Sequence, residues 1–375
     1  MVKKVILTIF LMYSIALAES HGQLSTIGGI SKDSKGYTSQ LGLQYIPTWS
    51  LTVPWPTAIF DTEIAFDIHT TYQQMPGLDQ EIDFEIKPYR MWFRRTTDKI
   101  ELRMGLQKIT FGNARIFRSL MWFDRIDPTD PLQLTEGVWG IRARRDFTNN
   151  TNIWFWALLW NEDTKGWESM PTKKNNLEFG GRYQMPLLSG ELGFSAHNRI
   201  ISRKDLPSYY NVTTMSKSTP EIRGAIDGYF DIGIGLWFES TLVYADYGAD
   251  HPNWQSFLTV GADYTLGIGN GLTITGEHFG YNMADNPFTA DGATNMSGLI
   301  LTYPVSIFDN LTAYLFYSWD RNLSYYYLSW QRSYDNWLFL INTYFSSDTE
   351  SSFSFNQASS DFGNRGIRLM LIYNH

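Results

Sequence analysis

Apolar and polar residues alternate along most of this chain, and the alternation predicts strands. In a strand, odd and even residues face opposite sides. Over Asp61–Tyr72 the odd positions are Asp61, Glu63, Asp67, His69 and Thr71, and the even ones include Ile64, Phe66, Ile68 and Tyr72. Over Gln80–Lys87, Glu81, Asp83, Glu85 and Lys87 oppose Ile82, Phe84 and Ile86. Over Ile100–Gln107, Glu101, Arg103 and Gln107 oppose Ile100, Leu102, Met104 and Leu106. Over Val138–Arg144, Arg142 and Arg144 oppose Trp139, Ile141 and Ala143. One face is charged over several consecutive strands while the other is apolar. After Pro88 the phase reverses, with Arg90, Trp92 and Arg94 against Tyr89, Met91 and Phe93. Proline donates nothing to a ladder and a bulge shifts phase by one residue, so a bulge or bend is predicted near Pro88.

Segments of this kind number eighteen, at 24–30, 37–46, 59–72, 80–95, 98–108, 136–146, 151–160, 175–185, 190–200, 219–230, 232–247, 254–266, 272–280, 295–303, 311–319, 323–332, 337–346 and 363–373. Their connections fall into a mostly short set and a mostly long set, the long ones being 109–135, 161–174, 201–218, 281–294 and 347–362. Short turns on one side and long loops on the other are the rule for outer-membrane barrels. The Asp320–Asn322 turn and a long 47–58 connection break the pattern, so sixteen strands is the competing count. The expected fold is all-β: a single antiparallel transmembrane β-barrel over 19–375. A secreted β-sandwich is the rival, and strand lengths together with Tyr- and Trp-rich strand ends favour the membrane. The last strand ends with Tyr373 and His375, an imperfect form of the terminal aromatic signal read by the barrel-assembly machinery.

The chain opens MVKKVILTIFLMYSIALA. Lys3 and Lys4, a short apolar run and Ala16-Leu17-Ala18 predict a cleaved signal peptide over 1–18. The mature chain then has 357 residues (375 − 18) and a formal charge near −10, since two lysines leave a total of −8. No polybasic run survives, which argues against nucleic acid. Cysteine is absent, so thiol chemistry and cysteine metal sites are excluded. Aromatic residues make up 16% of the chain, which suits a barrel with interfacial girdles.

The stretch GLQKITFGNARIFRSLMWFDRIDPTDP, Gly105–Pro131, does not alternate. Ile109, Phe111, Ile116, Phe117, Leu120, Met121, Trp122 and Phe123 are too many apolar residues for a mobile surface loop. They predict that 109–135 folds inward as a constriction loop, anchored on the wall with its charges toward the lumen. An ordered external cap is the alternative. The pore-lining candidates are Arg103, Lys108, Arg115, Arg118, Asp124, Arg125, Asp127, Asp130, Arg142, Arg144, Glu101, Glu85, Asp83 and Asp67. Arginines stay charged, and opposed carboxylates would set a transverse field across one eyelet.

"MGLQKITFG" followed by "FDRIDPTDP" resembles the strand-loop of alginate-export-type and related outer-membrane porins. The matching positions are Gly105, Gln107, Phe111, Gly112, Asp124, Asp127, Pro128, Asp130 and Pro131, within roughly thirty residues. The resemblance implies an 18-stranded barrel with a charged pore. Leu106 and Phe111 stand where that family carries Arg and Trp, and the lost arginine counts against a polyanionic substrate such as alginate.

Little else carries chemistry. The six histidines, His21, His69, His197, His251, His278 and His375, form no metal-spaced pair. Ser195 and His197 are same-face neighbours on one strand, and no nucleophile motif accompanies them. "GIGNG" at Gly267–Gly271 lacks the lysine of a phosphate loop and reads as a turn. Asp246, Asp250, Asp285 and Asp291 fall in loops without an EF-hand pattern. No enzyme, cofactor or metal is expected. Trp154, Trp156, Trp160 and Trp167 are expected to pack the inward loop, with sugar stacking as the alternative.

The expected function is a channel for small polar or oligomeric solutes such as saccharides or anions. The alternative is a non-conducting barrel acting as adhesin, receptor or scaffold. Expected partners are outer-membrane lipid, lipopolysaccharide, the assembly machinery and a small solute. Neither the solute nor the oligomeric state is readable.

Overall fold

The structure is a computed structural model. It describes residues 19–32, 34, 36–77, 79–203, 216–248, 251–289, 292–347 and 365–375. The expected signal peptide, Asp250 and Asp291 lie outside the described residues. Eighteen strands form one sheet, in chain order β1 Glu19–Lys32, β2 Tyr37–Trp55, β3 Ala58–Gln74, β4 Glu81–Thr96, β5 Ile100–Gln107, β6 Val138–Asp146, β7 Asn152–Leu158, β8 Glu178–Leu187, β9 Gly190–Ser202, β10 Ser218–Asp231, β11 Gly235–Ala245, β12 Trp254–Leu266, β13 Leu272–Ala284, β14 Thr294–Pro304, β15 Asp309–Ser318, β16 Leu323–Tyr334, β17 Trp337–Ser346 and β18 Arg365–Asn374. Each strand pairs antiparallel with its sequence neighbours, and β1 pairs with β18 from Gln23↔Asn374 to Lys32↔Arg365. The sheet is therefore a closed barrel with no helix among the described residues, and closure removes the edge strands that an open sheet would expose.

Eighteen strands, not sixteen, close it. The expected long 47–58 connection does not exist: β2 runs on to Trp55 and pairs Trp55↔Ala58 across a two-residue turn. Pro47 masked this continuity. The β2–β3 ladder is interrupted between Tyr45↔Ile68 and Thr48↔Ala65, so the alternation breaks while the strand continues. The Trp319–Asn322 connection, by contrast, is a real short turn on the long-loop rim. At Pro88 the predicted bulge is present. Phe66 pairs with Pro88 and Ala65 with Arg90, which leaves Tyr89 as the extra residue.

The two faces follow the alternation. On β11, Trp237, Glu239, Thr241 and Val243 are buried, while Leu236 and Tyr244 are exposed. Ile64, Phe93, Ile141, Phe155 and Leu369 are likewise exposed on the outward face. An apolar exterior around a polar interior inverts the soluble pattern, and it is the arrangement a bilayer requires.

Candidate functional site

The connection between β5 and β6 folds into the interior, and its anchors come from the wall formed by β11–β13. Glu277 on β13 accepts the backbone N–H groups of Arg115 (2.5 Å), Ile116 (3.0 Å) and Phe117 (2.7 Å), as well as Trp237 Nε1 (2.8 Å). Glu239 on β11 accepts the N–H groups of Ala114 (2.8 Å) and Leu120 (3.0 Å). Between them, Thr259 donates to the Phe117 carbonyl at 2.6 Å and Thr241 to that of Ser119 at 3.2 Å. Irregular backbone away from water must find partners, and here the wall supplies them. Charge-assisted bonds of this kind are the stronger sort.

Apolar packing completes the seat. Phe111, Trp122 and Phe123 cluster with Trp156 of β7, and Ile116 and Phe117 with Phe257, Phe279 and Phe316. Two glycines make this approach possible. Gly112 has φ +94, and a Cβ there would fall 2.3 Å from Glu239 Oε1. Gly166, on the connection between β7 and β8, has φ +45, and a Cβ there would fall 1.8 Å from the Met121 carbonyl oxygen. That second connection also folds inward. Trp167 stacks on Phe279 with ring centroids 4.9 Å apart and donates Nε1 to the Arg118 carbonyl at 2.8 Å. Trp156 and Trp167 thus pack the inner segment, as expected. Trp154 packs at the edge of the same cluster, beside Arg142 and Arg144, whereas Trp160 is exposed against Trp139.

The predicted lining residues separate into groups. Arg103 and Arg142 stand beside Arg94 in register across β4, β5 and β6. Like charges directly opposite one another repel. Glu101 relieves this by binding Arg142, with Arg103 at 3.6 Å and Arg94 at 3.7 Å, while Trp92 and Trp154 offer ring faces to the guanidinium groups. Arg144 pairs with Asp146 at 2.7 Å. Arg115 is the cation that the inner segment leaves open: its side chain is 46% exposed, 2.5 Å from Asp263 and over the Trp237 ring. Lys108 is also exposed.

Arg118 and Asp124 do not line a path. They are buried against each other at 3.4 Å, with side-chain exposures of 8% and 2%. Arg118 also holds the Phe111 carbonyl and Asp124 the Thr110 hydroxyl. Arg125 donates to the carbonyl and hydroxyl of Thr164, tying the two inward connections together. Asp127 and Asp130 shape turns by accepting the N–H groups of Thr129 and Leu132. Burial pushes the Asp130 carboxyl up. At Glu136 burial works against ionisation, but Lys165 at 3.0 Å, with Lys87 and Arg125, holds the carboxyl below the usual glutamate range. Asp67 is buried under Gln44 and His69. Glu85 contacts His69 and Lys87. Asp83 and Glu85 lie on the part of β4 beyond its last rung with β5, which ends at Met91↔Leu106. Asp83 is eleven residues (94 − 83) from Arg94, roughly 36 Å along the strand at about 3.3 Å per residue. These two carboxylates share no eyelet with the arginine row.

The alternation marks Glu239 and Glu277 as inward, but nothing in the sequence shows what they bind. The same holds for the ion pairs on β8–β10. Arg182 grips Asp227 with bonds of 2.5 and 2.8 Å, and Arg199 and Arg223 share Glu168 and Glu221. Ser195 is held by Arg182, whereas His197 lies between Trp156 and Glu178, so Ser195 and His197 serve different partners.

No protein-family model matches the chain, and no curated protein matches it in sequence. Solved structures do match in fold. OprD of Pseudomonas aeruginosa is similar with a TM-score of 0.55 at 11% identity, covering 96% of this chain and 95% of that one. OpdQ of the same organism gives 0.55 at 9%, covering 96% and 98%. The anion-selective porin of Comamonas acidovorans gives 0.50 at 12%, covering 96% and 99%. At such identities the likeness is one of fold: a closed antiparallel barrel of the outer-membrane porin type.

Proposed function

We propose that the protein is an outer-membrane channel for small polar solutes, narrowed by the segment 109–135 and favouring anions at its narrowest level. The observation that carries this reading is Arg115, the exposed cation of a segment bonded to the inner wall. The row of Arg94, Arg103 and Arg142 supports it, since few carboxylates serve those arginines. Fixed charges in a narrow, low-dielectric passage act more strongly than on an open surface. Lipid, lipopolysaccharide and the assembly machinery are the partners this location implies. The short motif of Gly105–Pro131 favours the alginate-export-type branch of such barrels. There Leu106 and Phe111 depart from the pattern, and Phe111 is buried against Trp156.

A second reading, a plugged barrel serving as receptor or scaffold, draws on the far half of the segment. Tyr327 donates to the Thr129 carbonyl at 2.9 Å, and Leu132 packs on Leu340, Met370 and Ile372. Single-channel recording in planar bilayers separates the two. Discrete conductance steps are expected, and a folded, heat-modifiable barrel without them overturns the channel. Arg115→Ala is expected to shift the reversal potential toward cations at low salt, with high salt weakening the shift. Arg118→Ala is expected to lower stability through the Asp124 charge it strands, without a direct effect on ion preference. An unchanged reversal potential in Arg115→Ala would remove Arg115 from the path.

A further inference from the structure

The outward face carries a hollow near the rim of short turns, on β2, β3 and β4. Its volume is about 560 Å3, and its lining is mostly apolar: Leu51, Val53, Trp55, Phe60 and Phe93, with Asp61 and Arg95 as its charged members. The register shows which side it occupies. Thr52 and Arg94 both donate to Asp61 on the inner face, so the alternate residues Val53, Phe60 and Arg95 point outward. Phe60 and Phe93 stack with ring centroids 6.0 Å apart and form the floor. Trp55 is largely exposed at the rim, the level at which amphipathic rings meet headgroups.

Arg95 does not stand alone. Lys99 lies in the next turn, and its carbonyl accepts the N–H of Asp146 at 2.9 Å, which sets it beside the end of β6. There Arg145 alternates outward from Arg144, with its guanidinium over Phe147. The inward neighbours Arg94 and Arg144 each hold a carboxylate. Among the described residues Arg95, Lys99 and Arg145 have no ion pair. On β4–β6 the short-turn rim thus carries three cations without ion pairs, with Asp98 in the same turn as Lys99, beside an apolar hollow.

We propose that this hollow is a phospholipid site of the leaflet at the short-turn rim, with an acyl chain over Phe60 and Phe93 and the phosphate on Arg95. The proposal rests on the reading of the barrel as membrane-embedded. The chemistry fits one occupant. Apolar lining takes the chain, the three cations take a negative headgroup, and basic residues near a membrane surface attract anionic lipid. A second copy of this chain would bring the same cations and meet them with like charge.

Native mass spectrometry of the full barrel, in micelles doped with palmitoyl-oleoyl phosphatidylglycerol, tests this. Wild type is expected to retain one lipid per barrel. Arg95→Gln is expected to weaken retention about fivefold, the effect of one cation at a membrane surface. Val53→Trp, which fills the hollow without changing charge, is expected to abolish it. Heat-modifiability and conductance are expected to stay at wild-type values in both variants, which keeps this result separate from the channel reading. Equal retention in all three proteins overturns the proposal. So does a wild-type mass of two or three copies that falls to one in either variant, which would assign the hollow to a second copy.

Discussion

Replacing Glu239 and Glu277 together by alanine is expected to raise single-channel conductance several-fold while the barrel stays folded. Between them these carboxylates accept the N–H groups of Ala114, Arg115, Ile116, Phe117 and Leu120. Each buried N–H left without an acceptor costs about 1–3 kcal/mol. Five such groups cost roughly 5–15 kcal/mol together, against about 1.5–3 kcal/mol each for burying Ile116 and Phe117 and about 0.5–1.5 kcal/mol more for the stacking on Phe279. The segment therefore leaves the wall, where water supplies the missing acceptors. The strand ladders do not involve either side chain, so the barrel persists. Charge loss alone would alter selectivity rather than size. Glu239→Gln with Glu277→Gln removes the charge but keeps one acceptor oxygen per side chain where both now accept N–H groups, so it is expected to loosen the segment less than the alanine pair does. Conductance equal to wild type in the alanine protein would show that these carboxylates do not hold the segment.

Arg182→Ala is expected to destabilise the barrel by about 3–5 kcal/mol, as measured by urea unfolding in micelles. Its guanidinium is 3% exposed and makes both strong bonds of Asp227, which is itself 1% exposed. Asn113 contributes only a contact of 3.5 Å. Removing the arginine strands a buried carboxylate. Arg182→Met with Asp227→Leu removes both charges and keeps volume, so it is expected to recover most of the loss. If the single change costs no more than the double one, water reaches Asp227 and the pair is not sealed by the inner segment.

These effects arise at contacts that the sequence leaves unseen. Alternation is local, so it reported the faces of β3 through β6 and even the bulge at Tyr89, where one extra residue reverses the phase. It failed at Pro47, because a missing rung between β2 and β3 looks like a strand end. The inner segment was recognisable from Ile109, Phe111 and Phe117, whose burial needs a wall. Which of its charges face water was not. Arg115 and Arg118 are alike in sequence, yet Arg115 stays half-exposed beside Asp263 while Arg118 is buried on Asp124. That difference is set by residues more than a hundred positions away, among them Glu239 and Glu277. Asp83 and Glu85 share their alternation with pore residues, but strand length places them beyond the rung where β5 stops.

Because the chain has no cysteine, Arg115→Cys gives a single thiol. Single-channel conductance of that protein, before and after reaction with a bulky methanethiosulfonate reagent, reads directly whether the inner segment borders the solute path. A stepwise fall in conductance on labelling is predicted. Unchanged conductance, with complete labelling shown by mass, would contradict the placement of Arg115 at the narrowing of the channel.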